Sequence, residues 1–88
     1  MPNILRTEKG GYNKKDVLTK IDAYMSLLLS VQSGMPQENA LAELERIKQM
    51  PLTVEKEGFF AKTGFSQEDT DAYLAEMEDK ITSAFEAE

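Results

Sequence analysis

Two similar hexapeptides, 53 residues apart, each precede a run of largely apolar positions in this chain of 88 residues. They read Gly11-Tyr12-Asn13-Lys14-Lys15-Asp16 and Gly64-Phe65-Ser66-Gln67-Glu68-Asp69. After each hexapeptide the apolar positions follow at steps of four, three, four and three residues. This spacing is typical of a helix face that packs along another helix. The chain is therefore expected to use the same helix start and the same helix face twice.

Each hexapeptide contains the residues of a helix N-terminus. Asn13 and Ser66 are good N-cap residues, because their side-chain oxygens can accept a hydrogen bond from a backbone N–H of the first turn. Asp16 and Asp69 follow three positions later, where a capping box needs an acceptor and where negative charge suits the positive helix end. These residues predict helices that begin at about residues 13 and 66.

Glycine and an aromatic residue come before each cap. Gly11 and Gly64 are expected to adopt a positive φ as the chain turns into the helix, since glycine does so without steric penalty. Tyr12 lies directly before the first cap and Val17 lies four residues after it, which are the positions of a hydrophobic staple. Phe65 takes the place of Tyr12 in the second hexapeptide. We therefore predict two similar turns, each leading into a helix.

Apolar spacing and helix-breaking residues predict three helices, at residues 13–33, 36–50 and 66–86. Gly34 suits the end of the first helix, and Pro36 suits the start of the second. The predicted packing seam, made of apolar positions after the two hexapeptides, consists of Val17, Ile21, Tyr24, Leu28, Val31, Leu74, Met77 and Ile81. Further apolar residues widen this face of the first helix to a broad band: Leu18, Met25 and Leu29.

The predicted fold class is all-α, in a single small helical domain over residues 1–88. An internal repeat is predicted at 4–33 and 59–86, with the helix at 36–50 and a connector at 51–58 between the two copies. Two arrangements fit this pattern. One is an up-down-up bundle with the two turn–helix modules side by side, and the other is an intertwined helical dimer that uses the same contacts.

Charge is distributed unevenly along the chain. Residues 1–33 carry five basic and three acidic residues, whereas residues 34–88 carry five basic and thirteen acidic residues. A surface this acidic is expected to exclude nucleic-acid binding, since the affinity of proteins for nucleic acids comes largely from Lys and Arg. It also favours packing of the third helix on the first, slightly basic helix over packing on a second acidic copy of itself.

The residue types present argue against catalysis. The chain contains no histidine and no cysteine, so nucleophile–histidine pairs, imidazole ligands and thiolate ligands are all excluded. We therefore predict that the protein is not an enzyme and uses no cofactor or metal. No apolar run approaches the roughly 20 residues of a membrane span, and no secretory leader is evident, so the expected location is the cytoplasm.

The order of these residues resembles the N-terminal module of DivIVA-type proteins. In that module an apolar pair and a few polar residues precede a glycine and an aromatic residue, and a cap, an acid and an apolar helix follow. The first copy supplies Gly11-Tyr12-Asn13 and Asp16-Val17, and the second supplies Gly64-Phe65-Ser66 and Asp69-Thr70-Asp71. Met50-Pro51-Leu52-Thr53 is similar to the way such proteins often begin.

This resemblance implies a bacterial cytoplasmic scaffold or adaptor that takes part in cell division or polar organisation. It implies protein partners, self-association through helices, and no cofactor. In the family, an aromatic and a basic residue before the glycine can contact the membrane. Here Lys9 and Lys62 stand near those positions without the aromatic residue, which leaves at most a weak peripheral contact near the division site. The alternative is a generic helical binding or regulatory module, phage-derived or inhibitor-like, in which the hexapeptides are only helix caps.

Overall fold

The computed structural model describes residues 5–55 and 63–86, with only the backbone of the last residue. Within these residues the chain is mostly helical, which confirms the three predicted helices to within about two residues at each end. The helices are α1 at Lys14–Gln32, α2 at Gln37–Lys48 and α3 at Gln67–Glu86.

The fold is not purely α-helical, because a small antiparallel sheet lies next to the starts of α1 and α3. Its strands are β1 at Thr7–Lys9 and β2 at Thr63–Phe65. Tyr12 pairs with Phe65 on one side and with Val54 on the other. The chain segments that lead into the two helices are therefore held by backbone pairing, which apolar spacing within the helices could not predict.

A glycine ends α1 and reverses the chain into α2. Gly34 has a φ of 104°, a left-handed conformation that favours glycine. Its N–H donates to the carbonyl oxygen of Val31 at 3.1 Å, and the N–H of Met35 donates to that of Ser30 at 3.0 Å. This pair of bonds is the Schellman arrangement of a helix C-terminus. Pro36 then stands as the N-cap of α2.

Helix α1 lies between α2 and α3 and contacts both. The Tyr24 hydroxyl donates to Glu78 Oε2 at 2.6 Å, which joins the middle of α1 to the middle of α3. Because the starts of these two helices also meet, they run in the same direction. Lys20 Nζ donates to the carbonyl oxygens of Lys48 at 3.2 Å and Met50 at 3.1 Å, so the end of α2 lies beside the first half of α1.

The core lies between α1 and its two neighbours. It includes Leu27, which is buried, whereas the predicted seam residue Leu28 is only half-buried. The reason is that α2 covers the side of α1 on which Leu27 lies. The buried apolar residues are Val17, Ile21, Tyr24, Leu27, Val31, Ala40, Leu44, Ile47, Leu74, Met77 and Ile81.

The broad apolar band predicted on α1 is only partly buried. Leu18 is 51% exposed, Met25 is 49% exposed and Leu29 is 63% exposed. Helices α2 and α3 cover two sides of α1 and leave the side that carries these residues open. The molecule is correspondingly thin, with principal extents of 51 × 26 × 14 Å. Its radius of gyration is 14.6 Å, against roughly 12 Å for a compact domain of this length.

Candidate functional site

The two hexapeptides meet each other at one end of the molecule, where they form turn 1 (residues 11–16) and turn 2 (residues 64–69). The Tyr12 N–H donates to the carbonyl oxygen of Phe65 at 2.8 Å, and the Phe65 N–H donates to that of Tyr12 at 2.9 Å. Each turn therefore contributes one donor and one acceptor to the same backbone pair. This reciprocal contact joins the starts of α1 and α3.

The glycines of the two turns allow the backbones of turn 1 and turn 2 to approach each other closely. The expectation that Gly11 and Gly64 adopt a positive φ is wrong, since positive φ is found instead at Gly10 and Gly34. A Cβ atom at Gly11 would overlap the carbonyl oxygen of Phe65, and one at Gly64 would overlap that of Tyr12. The two backbones can pair at this distance because neither glycine carries a side chain.

The N-cap residues bond to their own helices. Asn13 Oδ1 accepts from the N–H of Asp16 at 3.0 Å, and Ser66 Oγ accepts from the N–H of Asp69 at 3.3 Å. Each cap thus satisfies one backbone donor of the first turn, which stabilises a helix by roughly 1 kcal/mol.

The acids do not complete a capping box. Asp16 Oδ2 accepts from the N–H of Thr53, and Asp69 Oδ2 accepts from the N–H of Arg6, each at 3.1 Å. The N–H of each cap residue in turn donates to the carbonyl oxygen of the same partner, at 2.7 Å for Thr53 and 2.6 Å for Arg6. Each turn therefore holds both backbone polar groups of one residue from a neighbouring segment, and this capture replaces the predicted local bond.

The two acids differ in the charge that faces them. Arg6 Nε donates to Asp69 Oδ2 at 2.8 Å, and Arg6 Nη2 donates to Asp69 Oδ1 at 3.0 Å. These hydrogen bonds hold the pKa of Asp69 below its ordinary value. Hydrogen bonding from Thr53 lowers the pKa of Asp16, and the charge of the neighbouring Lys15 adds a smaller effect in the same direction. Both carboxylates are therefore stabilised in the ionised form, as acceptors of a backbone N–H.

The aromatic residues of the turns are both half-buried but have different polar neighbours. The Tyr12 hydroxyl donates to Asp71 Oδ1 at 3.0 Å, and burial together with this bond raises the pKa of Tyr12. Phe65 lies under Lys14, whose Nζ is 5.8 Å from the ring centroid. A cation at this distance is attracted by the ring quadrupole. Each aromatic ring thus contacts a residue of the opposite helix.

Of the two lysines that were predicted to contact lipid, one lies among the described residues. Lys9 is exposed in β1, where it pairs with Thr63. Lys62 lies outside the described residues, as do residue 4, residues 56–58 and residues 59–61 of the predicted repeat and connector. Across the described ranges, no helix combines the length and the apolar character needed to cross a membrane.

Two buried polar residues lie on the packed helix faces; Thr70 occupies a position of the repeated helix-face spacing, whereas sequence analysis did not identify Lys20. Lys20 is 8% exposed, and its ammonium group bonds to the carbonyl groups at the end of α2. Thr70 is fully buried, and its Oγ1 has no hydrogen-bond partner among the described residues. Helical spacing gave a signal for Lys20, because it lies three residues after Val17 on the same face. A lysine on such a face suggests a polar partner on the neighbouring helix.

The phenol–carboxylate pair in the middle of the bundle serves as a structural contact. Burial raises the pKa of Tyr24, and the hydrogen bond to Glu78 raises it further. The hydroxyl therefore stays protonated at neutral pH and acts as a donor between α1 and α3. Within the described residues, no group of three or more His, Cys, Asp or Glu is placed to bind a metal.

Among the described residues, grooves lie on both sides of α1. The covered groove, about 400 Å³, lies against α2 and is lined by Ala23, Ser26, Leu27, Ser30, Met35, Glu43 and Arg46. The open groove, about 450 Å³, lies between α1 and α3 and is lined by Leu28, Gln32, Glu76, Asp79, Lys80, Ser83 and Ala84. The described residues therefore form grooves between neighbouring helices.

No family model, no curated protein and no solved structure matches this chain. Function is accordingly inferred from the geometry of the turns and of the helix faces.

Proposed function

We propose that this chain is a non-catalytic scaffold or adaptor module that binds other proteins through helical surfaces, as the resemblance to DivIVA-type proteins implies. The reciprocal backbone pairing of Tyr12 and Phe65 is the observation that carries the proposal. It uses the elements that the two hexapeptides share in one contact between parallel helices, so these elements serve assembly of the fold rather than a reactive group. Self-association and division-related partners follow as part of the same proposal.

The proposal includes two copies of one module in an up-down-up bundle. The equivalent contacts of the two turns support it. Turn 1 binds both backbone polar groups of Thr53, in the same way as turn 2 binds those of Arg6. On this reading the second copy begins at about residue 52, close to the segment that starts with Met50 and Pro51. The connector then contains an insertion between Val54 and Thr63, and the second copy starts earlier than residue 59.

In the cell, this module would act in the cytoplasm of a bacterium, near the division site or a cell pole. Lys9 is exposed at the same end as the paired turns, and a single lysine contributes only about 1 kcal/mol near an anionic surface. Contact with the membrane would thus be weak and would depend on assembly into larger complexes.

Localisation of a fluorescent fusion in a rod-shaped bacterium tests this role. We expect the full chain to concentrate at the poles or the septum, and the Gly64→Val variant to be diffuse because its turns cannot pair. Light scattering of the purified chain should show a mass above that of a monomer. Uniform fluorescence of the unaltered fusion would contradict the division role and favour the generic binding module.

A further inference from the structure

The two flanks of the α1–α3 pair are built from corresponding positions. From α1, the flank covered by α2 presents four lining residues: Ala23, Ser26, Leu27 and Ser30. From α3, the open groove presents, besides Ala84, a second set of four: Glu76, Asp79, Lys80 and Ser83. The second set is offset from the first by 53 residues throughout, which is also the offset between the two hexapeptides. A helix therefore lies on one flank, and the corresponding flank is open.

The two walls of the open groove differ in chemistry. On the α1 side, Leu28 lines the groove, and Met25 and Leu29 lie on the neighbouring exposed surface, three residues before and one residue after it. On the α3 side the wall is charged. Glu76 forms an ion pair with Lys80 at 4.0 Å, whereas Asp79 makes no hydrogen bond or ion pair within the described residues.

The position on the covered flank that corresponds to this acid lies in a cavity that α2 lines with charged residues. On the covered flank, Glu43 and Arg46 of α2, which form an ion pair at 2.9 Å, line the same cavity as Ser26 of α1. Asp79 stands in the open groove at the position that corresponds to Ser26. A helix seated in the open groove with its residues equivalent to Glu43 and Arg46 toward α3 would place them beside the carboxylate of Asp79.

We infer that the open groove is a docking site for an amphipathic α-helix of a partner protein. The partner helix packs apolar residues at positions i, i+4 and i+7 on α1, as Ala40, Leu44 and Ile47 do in α2. It presents Lys or Arg to α3, where charge complementarity with Asp79 selects it. This inference rests on the proposed function as a binding module and names the class of partner.

A peptide with the sequence of residues 36–50 is a suitable probe, because α2 already fits the corresponding flank. In the open groove its Glu43 would face the acidic wall, so Glu43→Lys in the peptide should improve binding. We expect the lysine peptide to bind the full chain about three- to tenfold more tightly than the unaltered peptide, as measured by fluorescence anisotropy.

Charge reversal in the groove provides the decisive comparison. Asp79→Lys in the chain should reverse the preference between the two peptides. Glu38→Lys, an exposed change of the same charge on α2, should leave the preference unchanged. Ser83→Trp should block both peptides by filling the groove. Circular dichroism is used to establish that each variant retains its helices.

Equal binding of the two peptides, or a preference that survives Asp79→Lys, would overturn the inference. So would a mass measurement in which the unaltered chain is a dimer and Ser83→Trp makes it a monomer, because the groove would then hold a second copy. Failure of peptide binding by a chain that still concentrates at poles or septum would overturn this inference alone and leave the proposed function standing.

Discussion

Thr70 and Val17 are two residues of nearly equal shape at corresponding positions, and both are fully buried. They lie 53 residues apart, and each is the first core residue of its helix. The valine buries only carbon atoms, whereas Thr70 Oγ1 lacks a hydrogen-bond partner among the described residues. A buried polar atom without a partner lowers stability because it loses its bond to water.

The Thr70→Val variant should therefore be more stable than the unaltered chain. We expect its free energy of unfolding to rise by about 1 kcal/mol, since the apolar contacts are kept and the unsatisfied hydroxyl is removed. Urea denaturation followed by circular dichroism measures the change. Thr19→Val, on the exposed side of α1, controls for a general effect of valine in a helix. A loss of stability in Thr70→Val would mean that the hydroxyl has a partner.

Asp69 links stability to pH. Its pKa is lowered in the folded chain by the hydrogen bonds and charge of Arg6, whereas an unfolded aspartate titrates near about 3.9. The folded state therefore binds fewer protons in this range. The resulting stability is present above the unfolded pKa and is lost as pH falls through the lowered folded pKa.

Asp69→Asn should reduce the dependence of the free energy of unfolding on pH in this acid range. Asp16→Asn should act in the same direction, because the pKa of Asp16 is lowered as well. Urea denaturation at a series of pH values between about 5 and 2 measures the slope. Asp22→Asn, on the exposed side of α1, controls for the loss of one negative charge. An acid slope that is unchanged in Asp69→Asn would show that its bonds to Arg6 do not persist in solution.

At the scale of elements, the two turns and the strands before them act as one connection between α1 and α3. Turn 1 binds Thr53, from the segment before α3, and turn 2 binds Arg6, from the segment before α1. The two turns also pair with each other. The sheet β1–β2 extends this pairing by three residues on each strand. The helix starts are consequently joined by backbone bonds, while the rest of the two helices is joined by side chains.

Gly64→Ala should separate the turns. Its Cβ would overlap the carbonyl oxygen of Tyr12, and such crowding costs about 2 kcal/mol or more. The amide hydrogens of Tyr12 and Phe65 should then exchange faster with solvent. Gly34→Ala is the matched control, because its Cβ meets nothing within 4 Å and its cost comes only from positive φ. Unchanged exchange at Tyr12 and Phe65 in Gly64→Ala would contradict the close approach.

At the scale of the whole molecule, shape and charge act together. The three helices form a thin body with a formal net charge of −6, and eight of its acids fall from residue 66 onward. Like charges on one extended surface repel each other, and salt screens this repulsion over about 8 to 10 Å. A thin body also leaves more apolar surface open, as on α1.

Added sodium chloride should therefore raise the melting temperature by a few degrees. The gain comes from weaker repulsion among the acids, and the exposed ion pairs lose little because such pairs contribute only about 0 to 1 kcal/mol. Thermal melts followed by circular dichroism at low and moderate salt measure this effect. Glu38→Lys, which is two charge units less negative, should gain less. A melting temperature that falls with salt would mean that ion pairs outweigh repulsion.

Sequence alone determined the three helices and their ends, because caps, breakers and apolar spacing act over a few neighbouring residues. The predicted start at Asn13 and end near Gly34 agree with the caps and the C-terminal turn of α1. Sequence also determined most of the core, since the predicted seam residues other than Leu28 are buried. The division-related role stays a prediction.

Only the tertiary structure decided which sides of α1 are covered, why Gly11 and Gly64 are glycines, and which residues Asp16 and Asp69 bind. These features depend on contacts between segments about 40 to 60 residues apart, such as Asp16 with Thr53 and Asp69 with Arg6. Local spacing carries no information about the register of such distant segments. The packing of the helices sets that register, and with it the open groove.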